Sequence, residues 1–351
     1  MRALTASFLF DFKSNMQAIQ ERSYQNKLKN LHYQAFTKTR SSGSEREIFA
    51  WLLSTARLQR NGQGGNIQYD TLAQVKQTYV NGNFAAGTKI SKNQLTDLDG
   101  KGVDIGAEWS AQVGADIAYL PQREVITQLL NGETGLCYDG LAFFHASHPV
   151  NPAIPGSTTF SNLFTDLPID AASTTLDVAL DNLNTGLARI SAIKMPNGVD
   201  PRFLTPKCIV GPPALRARLQ QLTHAKFLGQ ASNGAGGGTG DVEKVIMDQA
   251  FGEPIIMAEL GASQSYPLGE NGTGSTVSGD DESFYVFCQE ADQSELGAMV
   301  WINREPVTIQ TFTGEGGQNV ELARAREIEM QAQGRGVAGY GLPFYCFKFR
   351  N

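Results

Sequence analysis

The longest amphipathic pattern in the sequence runs from 106 to 131. Apolar residues recur there every three or four positions, from Trp109 to Leu130, as they do on one face of a helix. At 1.5 Å per residue, such a helix is roughly 40 Å long. Pro121 lies inside it and is expected to kink or restart the helix, because proline lacks the backbone N–H that an interior turn needs.

Two shorter helices follow the same spacing. One ends at Ile190 and has Ser173 or Thr174 as its N-cap. The other spans 213–228 and begins with Pro213, a residue that suits the first turn of a helix. The segment 320–323 fits either a helix or a strand. Short runs rich in β-branched and aromatic residues predict strands at 203–210, 254–260, 283–289, 298–304, 306–312 and 343–349. This order of elements predicts an α+β fold.

Residues 57–86 show a different pattern. The cluster 61–66 is rich in asparagine and glycine, which favour turns, and after it apolar residues alternate with polar ones. Ile67, Tyr69 and Tyr79 fall on one face of this alternation. The pattern predicts a long hairpin with a glycine-rich tip, and its many polar residues lead us to expect that it projects from the body.

Composition excludes several classes of protein. The 351 residues are 41% hydrophobic and 18% charged, so the chain is not disordered. Its four cysteines are widely spaced and form no Cys-x-x-Cys pair, which excludes a zinc ribbon or a disulfide-dense scaffold and favours a reducing compartment. The N-terminus lacks a signal-peptide cleavage site, and no stretch reaches the ~18 apolar residues that span a bilayer. We expect a soluble protein made in the cytosol.

Charge is unevenly distributed along the chain. The formal net charge of −6 disfavours a nucleic-acid binder with a basic surface. Residues 1–60 nevertheless hold ten Lys or Arg against four acidic residues, which gives +6 there and −12 in the remainder. This segment is either the solvated face of a helix or an arm that lies on an acidic neighbour or faces nucleic acid. Phe8, Phe10 and Phe12 favour an arm that docks.

The sequence offers little support for catalysis. Its densest polar constellation, Cys137 and Asp139 followed by His145 and His148, contains side chains that ligate zinc, but the spacing matches no established zinc pattern. A hydrogen-bonded structural histidine is the alternative. The glycine-rich loop 229–240 lacks the Gly-Lys-Ser/Thr ending of a P-loop, and no nucleophile elbow or zincin motif occurs. We predict no catalytic, cofactor-binding or metal-binding residues.

The segment from Tyr138 to Pro149 resembles a stretch of the phage Mu-type major head subunit, the T protein family. The family pattern is Asp-Gly-x-x-Leu/Phe-Phe-x-x-x-His-Pro, and here Asp139-Gly140, Phe144 and His148-Pro149 stand at its fixed positions. Three weaker matches come in the family's order: Asn162-Leu163, the Val-Gly-Pro-Pro-Ala-Leu run within 209–215, and Gly339-Tyr340-Gly341. The resemblance covers roughly residues 45–351, and the first 45 residues match nothing in the family.

This resemblance implies the Hong Kong 97 phage-type capsid fold, an α+β fold whose parts correspond to the predicted elements. The 106–131 helix would be its spine helix. The expected parts are an N-terminal arm at 1–50, an extended-loop hairpin at 51–87, a peripheral domain with the spine helix at 88–137 and 305–351, and an axial domain at 138–304.

The family also implies a function. The chain would be a non-enzymatic major capsid protein of a tailed bacteriophage or prophage, assembled in the host bacterial cytoplasm into pentamers and hexamers of an icosahedral head. The head would enclose double-stranded DNA without reading its sequence. Further copies of the chain, a scaffold, a portal and decoration proteins would be its partners, with no membrane and no cofactor. The family usually keeps scaffold and protease on separate genes, and the expected absence of a long helix in the N-terminal segment agrees with that.

Obligate interfaces between shell subunits bury ~2,000–5,000 Å². The candidate interface residues are Phe8, Phe10, Phe12, Ile67, Tyr69, Tyr79 and Trp109. Lys76 is the only lysine between 50 and 88 and has no assignable partner, so we predict no covalent cross-link. Two alternatives stay open. One is an encapsulin-like nanocompartment shell, which shares the fold but encloses cargo protein. The other is a metal-dependent enzyme that uses the Cys137–His148 constellation.

Overall fold

The structure is a computed structural model that describes residues 6–54, 72–91, 101–170, 174–224, 227–228, 244–245, 251–269, 272–290, 297–312 and 327–350. Within these ranges it describes the backbone alone at 6–12, 52–54, 72–73, 101–104, 224, 227–228 and 244–245. The predicted hairpin tip at 61–66, the glycine-rich loop 229–240 and the ambiguous segment 320–323 lie outside the described residues.

The helices of the described chain are α1 Ala6–Leu28, α2 Lys101–Leu130, α3 Leu176–Ser191 and α4 Arg216–His224. The strands are β1 Thr37–Ser41, β2 Arg46–Ser54, β3 Leu72–Val80, β4 Gly82–Ser91, β5 His148–Pro149, β6 Thr159–Phe160, β7 Leu163–Phe164, β8 Leu204–Gly211, β9 Phe227–Leu228, β10 Lys244–Val245, β11 Ile255–Ile256, β12 Ser265–Pro267, β13 Thr276–Ser278, β14 Ser283–Glu290, β15 Met299–Phe312, β16 Glu327–Tyr340 and β17 Cys346–Arg350. The predicted α+β class is confirmed.

The N-terminal helix α1 contradicts the expectation that no long helix occurs before residue 50. It packs along α2, which is the predicted long helix and continues through Pro121. The two helices approach closely at Gly114, where a Cβ would lie 2.4 Å from the Gln20 carbonyl oxygen. The Ser23 hydroxyl donates to the Ala111 carbonyl at 2.6 Å, and Met16 is buried. Tertiary packing of this kind stabilises a helix that has only a weak amphipathic pattern.

A four-stranded sheet packs on α2. Its strand order is β1-β15-β16-β4, with β1 parallel to β15 and the other pairs antiparallel. Val113 of α2 packs with Ile309 and Ala332 of the sheet. The predicted strands 298–304 and 306–312 form one strand, β15, whose register against β16 shifts at bulges around Pro306. A bulge accommodates a proline, which has no N–H to donate to the ladder.

A five-stranded sheet, of order β11-β8-β14-β17-β7, forms the second centre of the core. Its aromatic residues include Phe284, Phe287 and Phe349, all buried. The C-terminal strand β17, which the expected partition assigns to the peripheral domain, pairs with β14 and β7. The 304/305 boundary of that partition also runs through β15. The domain partition itself stays a prediction.

Several element boundaries differ from the predicted ones. The N-cap of α3 is Thr175, not Ser173 or Thr174, and its hydroxyl accepts from the Val178 N–H; the Thr174 hydroxyl instead donates to the Asp170 carbonyl. Three predicted elements are split by 3₁₀ turns, at Pro213–Leu215 before α4, Ala258–Leu260 after β11 and Pro343–Tyr345 before β17. Within the described part of the chain, no helix combines the length and apolar content that crossing a membrane requires.

Candidate functional site

The segment that carries the family resemblance forms a buried polar cluster. Nδ1 of His148 lies 2.6 Å from Oδ2 of Asp139, and neither side chain is exposed. Nε2 of the same ring lies 3.2 Å from the Phe143 carbonyl oxygen. Both neighbours are hydrogen-bond acceptors, so each ring nitrogen faces one acceptor. The other Asp139 oxygen accepts from the Leu141 N–H at 3.1 Å, which fixes the turn between the two residues.

Asn162 extends this cluster to the C-terminal part of the chain. Its side-chain oxygen accepts from the His145 N–H at 2.9 Å. Its Nδ2 lies 2.7 Å from the Phe143 carbonyl oxygen, 3.2 Å from that of Pro343 and 3.3 Å from that of Cys346. Asn162 is fully buried. One amide thus links the loop after α2 to the turn before β17.

The remaining fixed positions of the motif have structural roles as well. Gly140 has a φ of +79°, a left-handed conformation that glycine adopts without strain, which explains its place after Asp139. Phe143 is buried and stacks on Tyr340 with a centroid distance of 4.7 Å. Phe144 covers Gly132, where a Cβ would lie 2.5 Å from its ring. The motif therefore specifies a folded junction.

The residues of the metal-enzyme alternative are engaged elsewhere. The Cys137 thiol lies 3.7 Å from the Gly341 carbonyl oxygen, and burial raises the pKa of this thiol, so it stays protonated at neutral pH. Nδ1 of His145 accepts from the Ser147 N–H at 3.1 Å. Among the residues that the structure describes, no group of three or more His, Cys, Asp or Glu could hold a metal ion. The geometry does not favour this alternative.

A charged cluster ties the end of α2 to β17. The carboxylate of Glu133 lies 2.6 Å from Nζ of Lys348 and 2.8 Å from Nη1 of Arg350. Burial by itself raises the pKa of Glu133, but the hydrogen bond and charge of Lys348, followed by those of Arg350, bring it below the usual value. The carboxylate is therefore ionised at neutral pH and keeps both contacts.

The hairpin exposes two large apolar side chains. Strands β2 and β3 pair with each other from Arg46–Val80 to Ser54–Leu72, outside both large sheets. One face of the pair packs on the body through Phe49 and Trp51. On the other face, Ile48 is 58% exposed and Val80 is 52% exposed. Prediction from sequence missed both residues, because adjacent apolar residues in this stretch hide the alternation.

Among the predicted interface residues, two have described side chains. Tyr79 is buried in its own chain, where its ring lies against Gly339 and its hydroxyl donates to the Tyr340 carbonyl. It therefore offers a neighbour almost no surface. Trp109 belongs to α2, is half-buried and packs on the four-stranded sheet. The side chains of Phe8, Phe10, Phe12, Ile67 and Tyr69 lie outside the described residues.

Comparison with known proteins bears on the role of this fold. A family model described as "Mu-like prophage major head subunit gpT" matches residues 12–179, a range that contains the buried polar cluster. The match begins well before residue 45, so the expectation that the first 45 residues match nothing in the family is wrong. Among curated proteins, no relative matches the sequence.

Solved structures of phage capsids share the fold. The capsid of the cyanophage P-SCSP1u aligns with 12% sequence identity and a TM-score of 0.57, and the alignment covers 91% of this chain and 87% of the capsid chain. The mature capsid of bacteriophage PhiM1 aligns with 14% sequence identity and a TM-score of 0.55, and the alignment covers 91% of this chain and 86% of the capsid chain. The Hong Kong 97 phage-type fold implied by the resemblance is confirmed. Over residues 12–179 the chain is therefore similar to the Mu-like prophage major head subunit, and it shares the fold of phage capsids.

Proposed function

We propose that this chain acts without catalysis and assembles into the pentamers and hexamers of an icosahedral head around double-stranded DNA. A capsid subunit must cover part of its surface with further copies of itself, so the proposal needs exposed surfaces rather than a reactive site. The described motif residues satisfy one another inside the chain, as the Asp139–His148 pair does. This leaves the outer surface to carry function.

The observation that carries the proposal is the outer face of the hairpin. In the β2–β3 register Ile48 lies opposite Thr78, and Arg46 lies opposite Val80. Ile48 and Val80 are therefore diagonal neighbours on one face, close enough for their side chains to form one apolar patch. We propose that a neighbouring subunit covers this patch in the shell. Its burial would add favourable apolar contact at about 25 cal/mol per Å².

The predicted arm and tip contacts remain part of the proposal. Phe8, Phe10 and Phe12 would dock the N-terminal segment on a neighbour, and Ile67 and Tyr69 would extend the hairpin contact. The net charge of −6 agrees with DNA that is enclosed rather than tightly bound, because strong phosphate contacts would oppose its release. Scaffold, portal and decoration proteins would be further partners, and assembly would take place in the host cytoplasm.

Negative-stain electron microscopy with light scattering on the chain expressed alone tests this function. We expect shells, tubes or capsomer rings in the megadalton range, all at monomer mass on denaturing gels because no cross-link forms. A monodisperse monomer that stays monomeric with a co-expressed scaffold protein would contradict the proposal. Ile48→Asp should abolish the particles while leaving a folded subunit, and Ile48→Val is its matched control. Normal particles from Ile48→Asp would exclude the hairpin patch from assembly.

A further inference from the structure

Strand β4 is an exposed edge of the four-stranded sheet. In the described residues it pairs with β16 alone, from Gly82 to Ser91 and without a register shift. Asn83, Gly87 and Lys89 are exposed, and so are both alanines between Phe84 and Gly87. Proteins usually protect a long edge with charges, proline or a bulge. This one has a single charged residue near one end and none of the other devices.

A groove with both polar and apolar lining runs beside this edge. It lies between β4 and α2 and has a volume of about 220 Å³, and its apolar lining includes Phe84, Ala86, Val113, Ile117, Leu120 and Val307. Its size exceeds the ~150 Å³ of a cavity that binds benzene. An added strand would therefore find backbone partners on β4 and room for its side chains in the groove. This is the arrangement of recognition by strand addition.

The rim of the groove indicates which partner fits. Asp116 and Arg123 of α2 stand there as an exposed ion pair with a separation of 3.1 Å. A rim with one acid and one base is complementary to its own copy turned by 180°, since each acid then meets a base. An isologous twofold contact requires this self-complementarity. A partner of one dominant charge would match only half of the rim.

We propose that β4 pairs antiparallel with β4 of a second copy about a twofold axis, which joins two four-stranded sheets into one. The small residues of the strand, Ala85, Ala86 and Gly87, allow the backbones to approach without a clash. The inference rests on the proposed function, because it names a second copy of the chain as the partner. It adds a contact that is separate from the hairpin patch at Ile48 and Val80.

A cysteine scan tests this pairing. Asn83→Cys, Ala85→Cys and Gly87→Cys lie on the outer face of β4, and partners in an antiparallel pair have Cα atoms about 4.5–5.5 Å apart, within disulfide reach. The four native cysteines are buried, so they do not interfere. Thr308→Cys, exposed on β15 of the same sheet, is the control. A residue at the twofold axis faces its own copy, so we expect covalent dimers after mild oxidation from a single variant. If Ala85 lies at the axis, Asn83 faces Gly87, and a mixture of the Asn83 and Gly87 variants should also form dimers.

The outcomes separate this inference from the proposed function. Intact shells whose scan gives no more dimer than the control would overturn the β4 contact and leave the proposed function standing. Disulfide dimers from a chain that forms no particles even with a co-expressed scaffold protein would support the contact and contradict the function. Ala86→Asp places a charge in the groove and should weaken the dimer at least tenfold in sedimentation analysis, whereas Thr308→Asp should not. Equal weakening by both variants would also overturn the inference.

Discussion

Removal of the Asn162 amide is the most direct test of how the buried polar cluster holds the subunit together. Asn162→Ala deletes the acceptor of the His145 N–H and the donor shared by the carbonyls of Phe143, Pro343 and Cys346. The Phe143 carbonyl keeps His148 as a neighbour, whereas the His145 N–H loses its side-chain acceptor. Because the site is fully buried, water cannot replace the lost partners without opening the junction.

The expected magnitude follows from the number of groups left unpaired. The amide has two donor hydrogens, so the variant strands one N–H and one or two carbonyls. Each buried unpaired group costs about 1–3 kcal/mol, which gives a loss of roughly 2–9 kcal/mol in the free energy of unfolding. With an unfolding entropy of about 2.1 cal/mol/K per residue, this lowers the Tm of the whole chain by roughly 3–12 °C.

Urea unfolding and calorimetry of the unassembled subunit measure this loss. Asn83→Ala is the matched control, since Asn83 is exposed on β4, and we expect a change within about 0.5 kcal/mol. Asn162→Asp retains the acceptor but replaces the donor by a buried charge, so it should be at least as destabilising as the alanine variant. A loss below about 1 kcal/mol for Asn162→Ala would show that the junction does not depend on this amide.

Three further changes have defined outcomes. Asp139→Ala removes the carboxylate that faces the His148 ring and accepts from the Leu141 N–H, so in urea unfolding it should cost about 1–3 kcal/mol for each buried group left unpaired. Gly186→Ala, which would normally stabilise a helix, should instead cost about 1–3 kcal/mol because its Cβ would lie 2.4 Å from the Phe349 ring; a gain in Tm would refute the packing. The lowered pKa of Glu133 stabilises the fold fully above its usual value of 4.5, and this contribution is lost as pH falls through the lowered pKa. The stability difference between the wild type and Glu133→Gln should therefore shrink on acidification, and a constant difference would contradict the ionic contact with Lys348.

Periodicity predicted the elements whose stability comes from a continuous apolar face. The long helix α2 and the helix α3 are such elements, and β8 and β14 are recognisable because each contains an apolar run, at 208–210 and 284–288. A helix was only one of two interpretations of the basic N-terminal segment, because the stability of α1 depends on contacts with α2 such as the one at Gly114. No local pattern encodes a contact between positions about 90 residues apart.

The polar motif shows the same limit at the level of the site. Sequence reasoning found Asp139, His145 and His148 as a cluster, and the resemblance included Asn162 as a separate weak match. The sequence could not predict that the Asn162 amide accepts from the His145 N–H and donates to the Pro343 carbonyl in the turn before β17. That geometry depends on the return of the C-terminal chain to the loop after α2, which is a property of topology and not of spacing.

The surface of a shell subunit is harder to predict than a catalytic site, and the hairpin shows why. Catalysis needs titratable residue types that stand out in a sequence, whereas assembly uses the same apolar residues as the core. Ile48 and Phe49 are adjacent and equally hydrophobic, yet the isoleucine is 58% exposed and the phenylalanine packs on the body. Alternation along the strand places them on opposite faces, but only the packing of the hairpin on the body decides which face is buried. In this protein the fold must therefore be known before an apolar residue can be assigned to assembly or to the core.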